Sequence, residues 1–480
     1  VLQGIVQLYA LKGNGMKNPG FFNHRISQKL AQLLLLALIT ISQAAWAAES
    51  AAGTFIGKVN EYMQAAERVH GFSGSILVAH DGTPLVSEGY GFANIELGVP
   101  NSPETVYLLG SITKQFTGMA IAMLQEEGKL QVGDPACKYL ENCPQTWADI
   151  TIRQMLWHTS GIPSYTGFPE FAARTVSPID TPQMMDMLRD RPLDFAPGTD
   201  QSYSNSGYFL LGSIIESVSG KTYADFLDER IFTPLGMEHS AYDVPDEIIK
   251  NRAAGYVRRN GELFNALYTD MTIPFAAGAL HSTTGDLLLW DQALYTEKLV
   301  TSESLKEIFT PNEPGDGYGF GWSIGKRFDK LLIAHGGGIY GFSTHIARFP
   351  DDGVTVIVLS NIEGAPSGKI AYDLAAIYFG EEYTIPVEQQ AVVLDPAILQ
   401  SYVGEYRVND ELSVVITLVG ENLVAELGGR STFGLLAASE TEFFSRDVDL
   451  RLAFERSESG EVTAFVLNPG PNGTTATKVK

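Results

Sequence analysis

Beyond residue 402 the chain shows no apolar pattern of helical period, and this narrows its possible folds more than any other feature. Short alternating runs follow one another instead: GEYRV, LSVVITLVG, NLVAELG, TFGLLAA, TEFFSR, VDLRLAFERS and EVTAFVLNPG, separated by Gly, Asn, Asp and Ser. An apolar period of two puts alternate side chains on opposite faces of a strand, and short runs joined by turn residues pair as antiparallel neighbours. About eight such strands are enough to close a meander on itself, which removes the unpaired edges of an open sheet. Residues 396–480 are therefore expected to form a small all-β barrel. The stretch before them, EEYTIPVEQQAVVLDPAILQ, reads as a connector and puts a domain boundary near residues 385 to 398.

Upstream the pattern is mixed. From about Gly53, IGKVNEYMQAAERV has helical spacing, and GSILVAHDGTPLVSEGYGFAN alternates and turns at Asp81-Gly82 as a hairpin does. Residues 104 to 300 read mainly as helices joined by long loops rich in Pro and Gly. Residues 316 to 361 return to strands, ending in THIARFPDDGVTVIVLSN with a turn at Asp351-Asp352-Gly353. Strands at both ends of one segment imply one sheet built from both ends, so residues 53–384 are expected to be a single domain of α/β (α+β) class.

The only long apolar stretch, ISQKLAQLLLLALITISQAAWA over residues 26 to 47, follows Lys17 and Arg25 and ends in Ala45-Trp46-Ala47. Basic residues, a short apolar run and a small-x-small close are the layout of a secretory signal rather than of a permanent span. Residues 1–47 are accordingly expected to be an upstream extension and signal peptide, cleaved after Ala47, leaving no stable membrane span and an exported protein, periplasmic or secreted. Loss of the four basic residues in this segment takes the formal charge from −23 to −27. So negative a field repels nucleic acid, which is excluded as a partner. Cys137 and Cys143, in CKYLENC, are the only cysteines. In an oxidising compartment they can pair across a short loop, with two separate thiols as the alternative. The nearest histidine in sequence is His158, and no second one joins it; neither a metal nor a cofactor is expected.

The chemistry concentrates in three places. In YLLGSITKQFTGMAIAMLQEEGKL, Phe116, Met119, Ala120, Met123 and Leu124 mark the apolar face of an amphipathic helix that Gly128 stops. Ser111 stands at its start, and Lys114, three residues on, shares its face. In QSYSNSGYFLLGSIIESVSG, Tyr203 and Asn205 precede a helix running to Gly220, and this is the only Y-x-N in the chain. Read alone, such a pair is a turn tyrosine and a helix cap. In LLIAHGGGIYGFST, His335 precedes Gly336, Gly337 and Gly338, and glycines there let a backbone edge approach a ligand. A second S-x-x-K, Ser323 to Lys326, overlaps a G-x-S-x-G match at Gly321 to Gly325. A nucleophile elbow needs a helix after its turn, whereas KRFDKLLIA continues as a strand, so neither rival holds a serine beside a base. His158 and Ser160, two apart in LWHTSGIP, are not placed to exchange a proton, and His158 reads as a buried packing or capping residue.

SITK, YSN and HGG, in this order and at these separations, resemble the active-site motifs of class C serine β-lactamases, DD-peptidases, D-aminopeptidases and related esterases. LWHTSGIPSY and YFLLGSIIESVSGKTYADFLDERIFTPLGM resemble the same family, over about residues 55 to 380. The portion from YVGEYRV onward resembles the lipocalin-like domain appended to some members. The resemblance implies a β-lactamase/transpeptidase-like antiparallel sheet flanked by helices, plus an all-helical region, with the site between them. It also implies that Ser111 attacks a carbonyl, that Lys114 and Tyr203 share the proton handling, that Asn205 orients lysine and substrate, and that the Ser111 and Gly338 N–H groups form an oxyanion hole. His335 would complete the site and Gly336 and Gly337 would line the substrate.

A serine hydroxyl needs a base within hydrogen-bond reach, and a lysine in a partly desolvated site can have its pKa lowered toward neutrality. Which of Lys114 and Tyr203 takes the proton stays open on the sequence. β-Lactamases usually carry lysine where His335 stands, and a histidine with a pKa near 6.5 is mostly neutral at pH 7, which disfavours carboxylate-bearing antibiotics. The expected function is an exported serine hydrolase cleaving a small ester, amide or peptide through an acyl-serine, as an esterase or D-amino-acid peptidase. The alternatives are a class C-type β-lactamase, a penicillin or peptidoglycan sensor with poor turnover, and a protein whose barrel binds an apolar ligand above an inert first domain.

Overall fold

The structure, a computed structural model, describes residues 53–171, 175–244, 246–259, 261–312, 315, 317–409, 412–427, 431–448, 450–469 and 473–479. The expected signal segment, residues 1–47, lies outside the described residues. Lys58–Lys480 form one compact unit.

Helix α1 (residues 53–70) leads into the hairpin β1 (Gly74–His80) and β2 (Thr83–Tyr90). Asp81 and Gly82 both have positive φ at its turn, the backbone that a right-twisted two-residue hairpin requires. Strand β3 (Tyr256–Arg259) lies in the middle of the chain, and β4 (Ser323–Arg327), β5 (Lys330–Ile339), β6 (Phe342–Phe349), β7 (Val354–Ser360) and β8 (Ile362–Glu363) follow in close succession. The main sheet is antiparallel in the order β4-β5-β6-β7-β1-β2, so the first hairpin docks on the last long strand. Strand β7 is buried along its whole length, because α4 (Ser367–Phe379) packs on one face and helices from the middle of the chain cover the other. A strand covered on both faces reads VTVIVLS, with little alternation.

Between the two parts of this sheet run α2 (Thr113–Glu126), α3 (Asn205–Ser219) and several shorter helices. Short strands also occur there, as at Tyr256–Arg259 and Leu280–Ser282, in a stretch expected to be mainly helices and loops. Cys137 and Cys143 are disulfide-bonded on this side.

One correction concerns α2. Its expected polar face is not solvated: Thr113 through Leu124 are all buried. The polar residues there find partners inside the protein, Gln115 accepting from the Trp290 indole (3.0 Å) and Thr117 donating to the Ala276 carbonyl (2.7 Å). A buried polar face is stable only when satisfied in this way.

The connector region contains a short helix, α5 (Pro396–Tyr402), capped by Asp395. Eight strands then close a barrel, β9 (Gly404–Arg407) through β16 (Thr474–Lys478), in which Tyr406 pairs with Lys478 to join first strand to last. Tyr402, Tyr406, Phe443, Phe454 and Phe465 fill its interior, with the Tyr402 and Phe454 ring centroids 4.4 Å apart. An eight-stranded barrel is about as wide as its own side chains. These side chains give the barrel a hydrophobic core of its own.

Among the described residues no helix is long and apolar enough to cross a membrane, and no group of three or more potential ligands is placed to hold a metal ion.

Candidate active site

Ser111 occupies a 3-10 turn, Gly110–Ile112, that feeds directly into α2. Gly110 has φ +55°, and a side chain there would press on the Gly338 backbone at about 3 Å. Only glycine combines that backbone with so close an approach. Strand β5 is held equally close on its own side: a Cβ at Gly337 would sit 1.9 Å from the Leu109 carbonyl oxygen, whereas one at Gly338 would meet nothing within 4 Å. The glycine run therefore lets β5 lie against the nucleophile's turn.

Lys114, in the first turn of α2, is fully buried. Its Nζ lies 2.8 Å from Asn205 Oδ1, 2.8 Å from the Ala277 carbonyl oxygen and 3.1 Å from Ser111 Oγ. It also faces the Tyr203 ring, 4.8 Å from the centroid. Burial without a carboxylate partner pushes its pKa well below the ordinary lysine value. The first two partners can only accept, so a neutral amine gives them its two N–H groups and is left with its lone pair in the direction of the Ser111 hydroxyl.

Asn205 is not the cap of α3. Ser204 caps it, accepting from Gly207 N–H at 3.3 Å. Asn205 is thereby the first helical residue, its Nδ2 donating to Thr166 Oγ1 (3.3 Å) while Oδ1 accepts from the lysine. Tyr203 keeps 43% of its surface exposed, with its ring packed over the Lys114 amine. Desolvation raises its pKa, keeping it a phenol rather than a phenolate.

His335, on β5, does not touch Ser111 through any hydrogen bond. Its Nδ1 donates to the Gly336 carbonyl (2.6 Å), so its Nε2 must accept from the Tyr318 hydroxyl (2.7 Å). Burial, and then the nearby Lys114, lower its pKa to about 3. It is a neutral ring with both nitrogens committed, 6.3 Å from the Tyr203 ring between centroids.

Three contributors were not singled out as part of the site by sequence reading. The Ala277 carbonyl and Thr166 are loop groups remote in sequence, and nothing local marks them. Tyr318 sits among glycines in YGFGW, with no signal that it meets His335. His158 does more than pack. Its carbonyl accepts from Ser202 N–H (3.0 Å) and its Nδ1 from Ser204 N–H (3.1 Å), so it grips the backbone on either side of Tyr203. Its ring lies 4.3 Å from that of Tyr203 between centroids. The rival serine, Ser323, is on strand β4, where Lys326 three residues on falls on the opposite face. Gly321 before it packs on the backbone of Lys114, a Cβ there meeting the lysine carbonyl at 2.4 Å.

Ser111, Asn205 and Gly338 share the wall of a cavity of about 400 Å³, and a second of about 370 Å³ is walled by Tyr203, Tyr318, His335 and Gly336. Gly337 is in neither wall.

The sequence matches the family described as Beta-lactamase over residues 58–378 and a domain of unknown function (DUF3471) over residues 388–477. It is 34% identical over 423 residues to Penicillin-binding protein 4* of Bacillus subtilis (strain 168), covering 83% of this chain and 93% of that protein. It is 27% identical over 320 residues to the teichoic acid D-alanine hydrolase of Staphylococcus aureus, covering 66% of this chain and 76% of that one. The structure is similar to that of a D-stereospecific amidohydrolase from Streptomyces sp., with TM-score 0.58 and 26% identity over 67% of this chain and 99% of the other.

Proposed function

The chain belongs to the beta-lactamase family and is a serine hydrolase, and from that premise we propose that it cleaves small D-aminoacyl esters or amides through an acyl-enzyme on Ser111. The observation that carries this reading is the desolvated Lys114 amine, aimed at Ser111 Oγ by two partners that can only accept. Lys114 takes the hydroxyl proton as Oγ bonds the acyl carbon. The Ser111 and Gly338 N–H groups receive the oxyanion; one such donor is typically worth about 3 kcal/mol of barrier. Tyr203, a phenol whose ring faces Lys114, gives its own proton to the leaving group as the carbon–leaving-group bond breaks and is reprotonated by the proton that Lys114 took from Ser111. Water then reverses the sequence and releases the acid. Asn205 orients Lys114, and His335 is a positioning residue that holds Tyr318 beside Tyr203.

The relatives support the substrate class, since one is named for hydrolysing D-alanine from teichoic acid and another for D-stereospecific amide hydrolysis. A neutral His335 supplies no cation for the carboxylate of a penicillin or cephalosporin, so antibiotic hydrolysis is the weaker reading. We further propose that residues 53–384 and 396–480 are separate domains and that the protein is exported after cleavage at Ala47, so that a mature sample would begin at Ala48.

Labelling with a fluorophosphonate tests the core of this reading. Wild type and Ser323→Ala should be labelled, and Ser111→Ala should be folded and unlabelled; a labelled Ser111→Ala protein would sink the assignment. Nitrocefin should be hydrolysed less efficiently than a p-nitrophenyl ester.

A further inference from the structure

The cavity that Ser111 lines and the one that Tyr203 lines differ in a respect that bears on the substrate. Tyr203 is in the wall of the smaller and not of the larger. A residue that protonates the departing group must stand beside it, so, on the acyl-serine reading above, the smaller cavity takes the leaving group and the larger takes the acyl group.

The acyl cavity is walled mostly by uncharged groups, among them Tyr165, Phe171, Ile273, Pro274 and Phe342. Glu363, at the end of β8, is the one acidic or basic residue in that wall among the described residues. Gly341 N–H donates to its Oε2 at 3.0 Å, which fixes the carboxylate against the turn between β5 and β6. No basic side chain shares the wall to neutralise it. Thr269 stands in the same wall, 8% exposed, with a hydroxyl that has no hydrogen-bond partner among the described residues. The phenol of Tyr340, also in this wall, is pushed up by burial and then by the Glu363 charge.

A carboxylate that no cation faces is free to take a ligand of the opposite charge through a charge-assisted hydrogen bond. We propose that Glu363 makes the acyl cavity a subsite for a protonated amine, so that the preferred substrates carry a free ammonium on the acyl group and N-acylated or anionic acyl groups are disfavoured. Nothing else in the cavity wall carries a formal charge, so removing this one should remove the preference.

D-alanyl-p-nitroanilide and N-acetyl-D-alanyl-p-nitroanilide, assayed with the full chain, separate the alternatives. Wild type should favour the free amine by about tenfold or more in kcat/KM, the range expected of a hydrogen bond between charged groups. Glu363→Gln keeps an oxygen for Gly341 N–H and removes the charge. It should abolish the preference, chiefly through KM, while leaving the acetylated substrate within about twofold. Equal rates on both substrates in wild type, or a parallel loss on both in Glu363→Gln, would overturn the subsite. A measurement that needs no variant is the pH dependence: the preference should fade as the substrate amine loses its proton, near pH 8 for an ordinary α-amino group; persistence at pH 9.5 would overturn it too. Fluorophosphonate labelling of the same samples distinguishes the two levels. Labelled wild type that hydrolyses neither anilide overturns the amine preference alone, while unlabelled wild type overturns the acyl-serine reading and the subsite with it.

Discussion

At the scale of residues, the site depends on burial acting in opposite directions on two acids. Desolvation lowers the Lys114 ammonium pKa and raises that of the Tyr203 phenol. At neutral pH this favours a free amine beside a protonated phenol, one group to take a proton and one to give it. Lys114→Ala and Tyr203→Phe should each lower turnover by several orders of magnitude, and the double variant should be little worse than the poorer single, because both serve one proton transfer. Near-normal kcat in either single variant would remove that residue from the mechanism. Burial also depresses His335 to about 3 and His345 to about 4. Both rings stay neutral in the folded protein and gain a proton more readily once unfolded. Their contribution to stability is complete above the unfolded value of about 6.5 and is lost as pH falls toward the folded values. Each should therefore add a slope of about 1.4 kcal/mol per pH unit near pH 5. Urea unfolding of His335→Gln at pH 7 and pH 5 should show a smaller acid loss than wild type; identical slopes would mean that His335 is protonated in the fold.

Among the elements, the closest packing lies where β5 meets the turn that carries Ser111. Gly337→Ala would drive a methyl into the Leu109 carbonyl, so it should cost about 1–3 kcal/mol and displace the nucleophile. Gly338→Ala meets open space and keeps its N–H, so it should fold and label normally. Thermal melts and labelling rates check the contrast, and a Gly337→Ala protein as active as Gly338→Ala would show that the two segments are not held this tightly. His158 acts at the same scale, tying the segment that carries Tyr203. His158→Ala loses the acceptor for a buried N–H and puts alanine at φ +59°. It should lower stability by roughly 1–3 kcal/mol and slow turnover while leaving Ser111 open to labelling. Its pinning role was not legible in the sequence, because Ser202 and Ser204 lie more than forty residues away and approach only when the loops fold back.

For the whole molecule, the barrel contributes more than bulk. Asp447 on a barrel loop accepts Gly261 N–H at 2.8 Å, and Val448 packs on Gly364, the neighbour of Glu363. Truncation near residue 390 should leave a soluble protein that is still labelled at Ser111 but discriminates less between acyl groups, since one support of the Glu363 segment is gone. An insoluble truncate, with the intact chain soluble, would show that the two parts share a core. The mixed α and β composition and the eight-stranded barrel were legible in the sequence through period and turn residues, which are local, and the β-lactamase-like arrangement through the resemblance of SITK, YSN and HGG to that family's motifs. The burial of α2 on every face is set by contacts with Trp290 and Ala276 rather than by local pattern, and the capping of α3 by the contact of Ser204 with Gly207. Which acid holds its proton, whether His335 has a free nitrogen and what charge the acyl cavity presents depend on burial and on partners remote in the chain. These are properties of enclosure, and only the tertiary structure encloses anything.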